Sequence, residues 1–121
     1  MVGSEVDADV SRELYCRARS LVEDNRLAEA VAVFEESLKI DPHFKTLELL
    51  GETLVRLGRL KEALIPLAAS VTLNKQSRAA SFLAEAFFNL GDLDKAEEIA
   101  KLALSREPNN KKALKVLASI G

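Results

Sequence analysis

Apolar residues recur along the chain three and four positions apart, the spacing that gathers side chains on one face of an α-helix. Leu14, Ala18, Leu21 and Val22 form a first such face, and Ala30, Val31, Phe34 and Leu38 a second. Leu47, Leu50 and Leu54 belong to a third, Leu83, Ala84 and Phe87 to a later one. The pattern predicts seven helices, over about 9–23, 27–40, 45–57, 60–73, 78–90, 93–106 and 111–120. Breaks are expected near Asn25, Pro42, Gly58, Gln76, Gly91 and Pro108.

The pattern is periodic. Leu90-Gly91-Asp92-Leu93-Asp94-Lys95-Ala96 is preceded thirty-three residues earlier by Leu57-Gly58-Arg59-Leu60-Lys61-Glu62-Ala63. Thirty-three before that stands Asp24-Asn25-Arg26-Leu27-Ala28-Glu29-Ala30. Gly and Asn enter the left-handed conformation most cheaply and commonly end helices. Each copy therefore reads as the bend of a helical hairpin, with an A helix before it and a B helix after it. Ala18, Gly51 and Ala84 keep the same register, as do Leu21, Leu54 and Phe87, and Ser37, Ser70 and Ala103. A fixed period of this size is the mark of a stacked-repeat protein. Small residues at Ala18, Gly51, Ala84, Ala30, Ala63 and Ala96 let paired helices approach closely.

These positions carry a family resemblance. The chain resembles the tetratricopeptide repeat, through Leu47-Leu50-Gly51-Leu54-Gly58-Ala63-Leu67 and Leu83-Ala84-Phe87-Gly91-Ala96-Ala103-Pro108. Ala18-Leu21-Ala30-Phe34-Pro42 fits less fully, because Arg17 stands where Leu is usual. The first two units are one residue short of the usual length, Lys75 replaces the closing proline, and Pro66 falls inside the second B helix. A mid-helix proline loses a hydrogen bond and crowds a carbonyl, so a kink is expected there. The resemblance implies an all-α, right-handed solenoid of three helix-turn-helix repeats, about 11–43, 44–76 and 77–110. A capping helix follows over 111–120, with Ala113, Leu114, Leu117 and Ala118 as its inner face, and residues 1–8 are expected to be flexible. The whole reads as a single domain spanning 1–121.

Composition changes this picture little. At 121 residues, 48% apolar and 30% charged, the chain is long enough for one small core. A net charge of −2 gives no general pull toward nucleic acid. The acidic beginning is not that of a secretory signal, and no apolar run approaches a membrane span. The single cysteine, Cys16, offers no disulfide framework and fits a reducing compartment, so a cytoplasmic location is expected. It reads as a packing residue.

Candidate chemistry is sparse. His43, the only histidine, lies in a turn without the further ligands a metal site needs, and reads as a solvated loop residue. Cys16 has no histidine in register, and the glycines follow the repeat rather than a phosphate loop. The reading is no enzyme, no cofactor and no metal.

Function is then expected at the surface. In the resembled family the A helices line a concave groove that holds a peptide. Carried over by alignment, the groove residues are Arg12, Tyr15, Arg19 and Val22 in the first unit. In the second they are Lys45, Glu48, Glu52, Val55 and Arg56, and in the third Arg78, Ser81, Glu85, Phe88 and Asn89, with Lys112 and Lys115 beyond. The best-known family variant clamps the C-terminal carboxylate of a chaperone tail. Its positions are filled here by Tyr15, Arg19, Leu49, Arg78 and Phe82, of which only Arg78 is compatible. The second position of every unit is basic: Arg12, Lys45, Arg78 and Lys112. A cation in a helix's first turn opposes its dipole by about 0.3–1 kcal/mol, so something else keeps these bases. One reading is a stripe that pairs with an acidic segment of a bound peptide. The expected function is a non-catalytic, monomeric protein- or peptide-binding adaptor or scaffold, without nucleic acid or membrane. The alternatives are a self-assembly module or a fragment of a longer repeat array.

Overall fold

The computed structural model describes residues 5–121. They form α1 (Glu5–Glu23), α2 (Leu27–Ile40), α3 (Phe44–Arg56), α4 (Leu60–Leu73), α5 (Arg78–Asn89), α6 (Leu93–Arg106) and α7 (Lys111–Ile120), with no strand among them. Helix α1 starts at Glu5, not Asp9, with Glu5 and Asp7 in its first turn, where acids suit the dipole. Residues 5–8, expected to be flexible, are thus helical; the expectation for residues 1–4 lies outside the described part.

Three hairpins, α1/α2, α3/α4 and α5/α6, stack into a right-handed solenoid, and α7 packs on α5 and α6. Each bend is a left-handed residue: Asn25 at φ 60°, Gly58 at 78° and Gly91 at 86°. The backbone closes identically around all three. Arg26, Arg59 and Asp92 donate their N–H to the carbonyls of Leu21, Leu54 and Phe87, five residues back. Asn25, Gly58 and Gly91 donate to Val22, Val55 and Phe88. This double closure satisfies carbonyls that a helix end otherwise leaves orphaned. Asp92 then caps α6, its carboxylate accepting from the N–H of Lys95 at 3.2 Å. Neither Arg26 nor Arg59 caps its helix; each grips the next turn's carboxylate instead, Glu29 and Glu62.

The core follows the repeat. Ala18, Ala30, Phe34, Ala63, Leu67, Ala84, Ala96, Ala100 and Ala103 are fully buried. Gly51 lies where an added Cβ would come within 2.6 Å of Leu67 Cδ2, which explains the glycine. Ser37 Oγ donates to the Ser11 carbonyl at 2.9 Å, and Ser70 Oγ to that of Phe44 at 3.1 Å, tying each B helix to the start of its A helix. Helix α4 runs unbroken through the buried Pro66.

The residues before Pro42 and Pro108, Asp41 and Glu107, are extended, as a following proline requires. Asn74 takes the same extended shape ahead of Lys75, without a proline to impose it. There Asn74 Nδ2 donates to the Ser70 carbonyl at 3.0 Å and its Oδ1 accepts from the Gln76 N–H at 2.8 Å. Arg106 of α6 reaches across to the carbonyls of Asn74 and Gln76 at 3.3 and 3.2 Å.

Two expectations are corrected. Helix α7 buries Ala113 and Val116, with Leu117 and Ile120 beside them, and leaves Leu114 and Ala118 exposed. Its inner face is turned from the expected one, and the buried set still keeps helical spacing. Cys16 is exposed rather than packed, and so is Arg17. Among the described residues, no other hairpin packs on the outer side of their helix. His43 is exposed as expected, yet it caps α3, Nδ1 accepting from the Lys45 N–H at 3.1 Å.

Candidate functional site

Helices α1, α3, α5 and α7 make one layer of the stack, and the sequence-predicted site residues lie on it. The basic row is mostly engaged within the chain. Arg78 of α5 donates to Glu52 of α3 with two nitrogens, Nη2 to Oε1 at 2.6 Å and Nε to Oε2 at 3.2 Å. Lys112 of α7 donates to Glu85 of α5 at 3.0 Å. Glu52 and Glu85 are repeat equivalents, so the two pairs are successive rungs of one ladder. The rungs supply the reason for bases in these first turns: each cation faces a carboxylate on the preceding A helix.

The first rung is missing. Arg19 occupies the position of Glu52 and Glu85, and Lys45 that of Arg78. Lys45 turns instead to Glu48 of its own helix, at 3.0 Å. Glu48 is fully buried beneath Lys45 and Arg78, the latter at 3.7 Å, and its Oε1 has no hydrogen-bond partner. Among the described residues, Arg12 pairs with Asp9, a turn away and exposed. Arg19 has no carboxylate partner among the described residues; its guanidinium lies 5.8 Å from the Tyr15 ring centroid.

Helix α3 packs on α5 and α5 on α7, whereas α1 and α3 barely touch. Two clefts open along the α1/α3 seam. One, of about 310 Å³, is bounded by Ala8, Ser11, Arg12, Tyr15, Asp41, His43, Lys45 and Thr46. The other, of about 180 Å³, is bounded by Arg19, Val22, Glu23, Phe34, Leu49, Glu52, Thr53 and Arg56.

The expected site residues therefore separate. Arg12, Arg19, Arg56, Asn89 and Lys115 are exposed, and Tyr15, Val22, Val55 and Phe88 are half-buried on the layer. Lys45, Glu52, Arg78, Glu85 and Lys112 are held in ion pairs. Glu48 and Ser81 were expected to face the groove but are buried, Ser81 donating to the Arg78 carbonyl at 2.8 Å. Repeat alignment puts them level with Tyr15 but does not show that a longer neighbour closes over them. Phe82 was overlooked as an apolar contact: Lys112 Nζ and the Arg78 guanidinium lie 4.6 and 5.4 Å from its ring centroid.

Family models described as tetratricopeptide repeat match residues 15–77 and 78–120. The chain belongs to the tetratricopeptide repeat family. No curated protein matches it. Among solved structures, it is similar to the first TPR of Spaghetti (RPAP3) bound to the HSP90 peptide SRMEEVD. Identity is 23% over 91% of this chain and 89% of that one, with a TM-score of 0.86. The Arabidopsis OM64 TPR domain is 16% identical over 94% and 96%, at TM-score 0.90. The Yersinia enterocolitica chaperone SycD, in complex with a peptide of the translocator YopD, is 20% identical over 97% and 91%, at 0.81. These likenesses show the tetratricopeptide fold. Among the described residues no cluster of three or more His, Cys, Asp or Glu is placed to hold a metal. Among the described residues no helix is long and apolar enough to cross a membrane.

Proposed function

We propose that this tetratricopeptide chain is a non-catalytic adaptor that holds a peptide of a partner protein along the layer of α1, α3, α5 and α7. The observation that carries the reading is the open α1/α3 seam, one cleft of which is lined by Tyr15 and the other by Val22 and Leu49 beside Arg19 and Arg56, which have no carboxylate partner among the described residues. Half-buried Val55 and Phe88 continue the apolar contacts along the layer. Proteins of the same fold are bound to peptides in RPAP3 and SycD, which supports the reading by analogy. A free, exposed Cys16 and a net charge of −2 suit a cytoplasmic monomer without nucleic acid.

Affinity capture with the chain as bait, repeated with Val55→Glu plus Phe88→Glu, tests this. The reading expects specific partners to be lost while helicity stays. Retention of the same partners by the double variant contradicts it.

One observation favours self-assembly as a second reading. Ile65 and Leu73 of α4 are 79% and 59% exposed, and Ala68 is exposed beside Ile65, one turn beyond the exposed Lys61 and Glu62. The positions equivalent to Ile65 and Ala68 hold Ala32 and Glu35 on α2, and Glu98 and Lys101 on α6. Sedimentation separates the readings: a monomer at all concentrations excludes pairing through α4.

A further inference from the structure

We propose that the end of α2, with the turn that follows it, binds the guanidinium of an arginine on a partner protein. This goes beyond a peptide held along the A helices, because the arginine is received beside the end of α4. The chain shows the chemistry itself, one repeat later. Arg106, the last residue of α6, reaches over to the end of α4. Its Nη1 and Nη2 both donate to the Val71 carbonyl at 3.4 Å. Nη1 also donates to the carbonyls of Asn74 and Gln76, at 3.3 and 3.2 Å. The last carbonyls of a helix have no partner inside it, and its C-terminus is the negative end of the dipole. A cation with several donors in a planar fork suits such a place.

One repeat earlier the acceptors persist without the donor. Leu73 ends α4 as Arg106 ends α6, and it is 59% exposed. Leu38 and Asp41 stand where Val71 and Asn74 do, and among the described residues no donor reaches their carbonyls. For Leu38 the residue four positions on is Pro42, which has no N–H to offer. His43 is the counterpart of Gln76, and its carbonyl is already taken by the Leu47 N–H at 3.1 Å. The turn also carries a carboxylate that the later one lacks, since Asp41 replaces Asn74. The equivalent side chains are both engaged, Asn74 with Ser70 and Gln76, Glu107 with Ser77 and Asn110. The Asp41 carboxylate makes no hydrogen bond or ion pair among the described residues. Lys39 and Lys75 are exposed nearby in the chain, and neither is bonded to the turn. Two carbonyls and a carboxylate at one helix end match the fork of an arginine better than the point charge of a lysine. Leu73 offers apolar surface to the arginine's aliphatic stem.

The test is an amide chemical-shift titration with the blocked peptide acetyl-Leu-Arg-Leu-amide, and with its lysine and citrulline counterparts. In the parent the arginine peptide is expected to shift Leu38, Asp41 and His43 saturably, at least fivefold more tightly than either counterpart. Leu73→Arg supplies a guanidinium from within the chain, at the place Arg106 holds one repeat later. Those shifts should then vanish at the same peptide concentrations while helicity stays. Asp41→Asn should weaken the arginine peptide at least threefold. No saturable shift at Leu38 and Asp41 in the parent overturns the site, and so do unchanged shifts in Leu73→Arg. Equal binding of the lysine peptide overturns the guanidinium as its ligand, and unchanged affinity in Asp41→Asn overturns the part given to the carboxylate. Shifts around Tyr15, Val55 and Phe88 with none at Asp41 also overturn this site, and leave the peptide-binding reading standing.

Discussion

Arg78 on α5 grips Glu52 on α3 through two nitrogens, across the boundary between two repeats. Arg78 is 53% exposed and Glu52 18%, so water screens much of the attraction. Exposed pairs contribute about 0.2–1 kcal/mol. Glu52→Gln should therefore lower stability by no more than about 1 kcal/mol, and the difference should shrink in high salt. Denaturant melts at low and high ionic strength check this. A larger, salt-independent loss would mean the pair acts as a buried contact.

Gly51 and Leu67 meet across the α3/α4 hairpin, where a Cβ at position 51 would run into the Leu67 side chain. Alanine gains about 1 kcal/mol of helix propensity over glycine. Overpacking a well-filled core costs about 1–3 kcal/mol, and Leu67 is fully buried. Gly51→Ala should thus be destabilising in the parent and stabilising once Leu67→Ala has removed the obstruction. Stability measured over the double-mutant cycle decides. The same sign in both backgrounds would show that Leu67 yields freely.

Pro66 is buried inside α4. A mid-helix proline costs about 3 kcal/mol or more. Replacing its ring by a methyl loses two buried carbons, at about 0.8 kcal/mol each. The helix term wins, and Pro66→Ala should raise stability by about 1 kcal/mol. A lower denaturation midpoint would mean that the ring's packing outweighs the restored N–H.

Glu107 accepts from Ser77 Oγ at 2.6 Å and from Asn110 Nδ2 at 3.0 Å, joining the starts of α5 and α7. The Ser77 bond first, then the Asn110 bond, hold its carboxyl below the ordinary 4.5. Arg59 does the same for Glu62. A carboxyl lowered on folding stabilises above its unfolded value and ceases to as pH falls through the folded one. Stability should therefore drop as pH falls below 4.5, and Glu107→Gln should flatten part of that slope. Melting midpoints from pH 6 to 3 provide the check, and an identical slope in the variant would remove Glu107 from the acid response.

The hairpins were legible because each rests on local chemistry repeated three times. Asn25, Gly58 and Gly91 are the residues that reach positive φ, and the apolar spacing around them has one helical solution. The groove was less legible, because side-chain length and cross-repeat pairing are not periodic signals. Alignment put Glu48 level with Tyr15 and Ser81, yet burial of Glu48 depends on Lys45 and Arg78 folding over it. The basic row was visible, but its partners Glu52 and Glu85 lie on preceding helices, 26 and 27 positions away. Knowing the hairpin period makes that spacing readable, and with it the substitution of Arg19. Among the described residues no other hairpin packs on the outer side of α1, which explains exposed Cys16 and Arg17; periodicity assigns them inward in a middle repeat.

Amide chemical-shift mapping of a peptide retained by the chain tests the central claim most directly. If the layer of α1, α3, α5 and α7 is the binding surface, titration should shift resonances around Tyr15, Arg19, Val55 and Phe88 and leave α4 unmoved. Shifts confined to the outer face of α4, around Ile65 and Leu73, would contradict it.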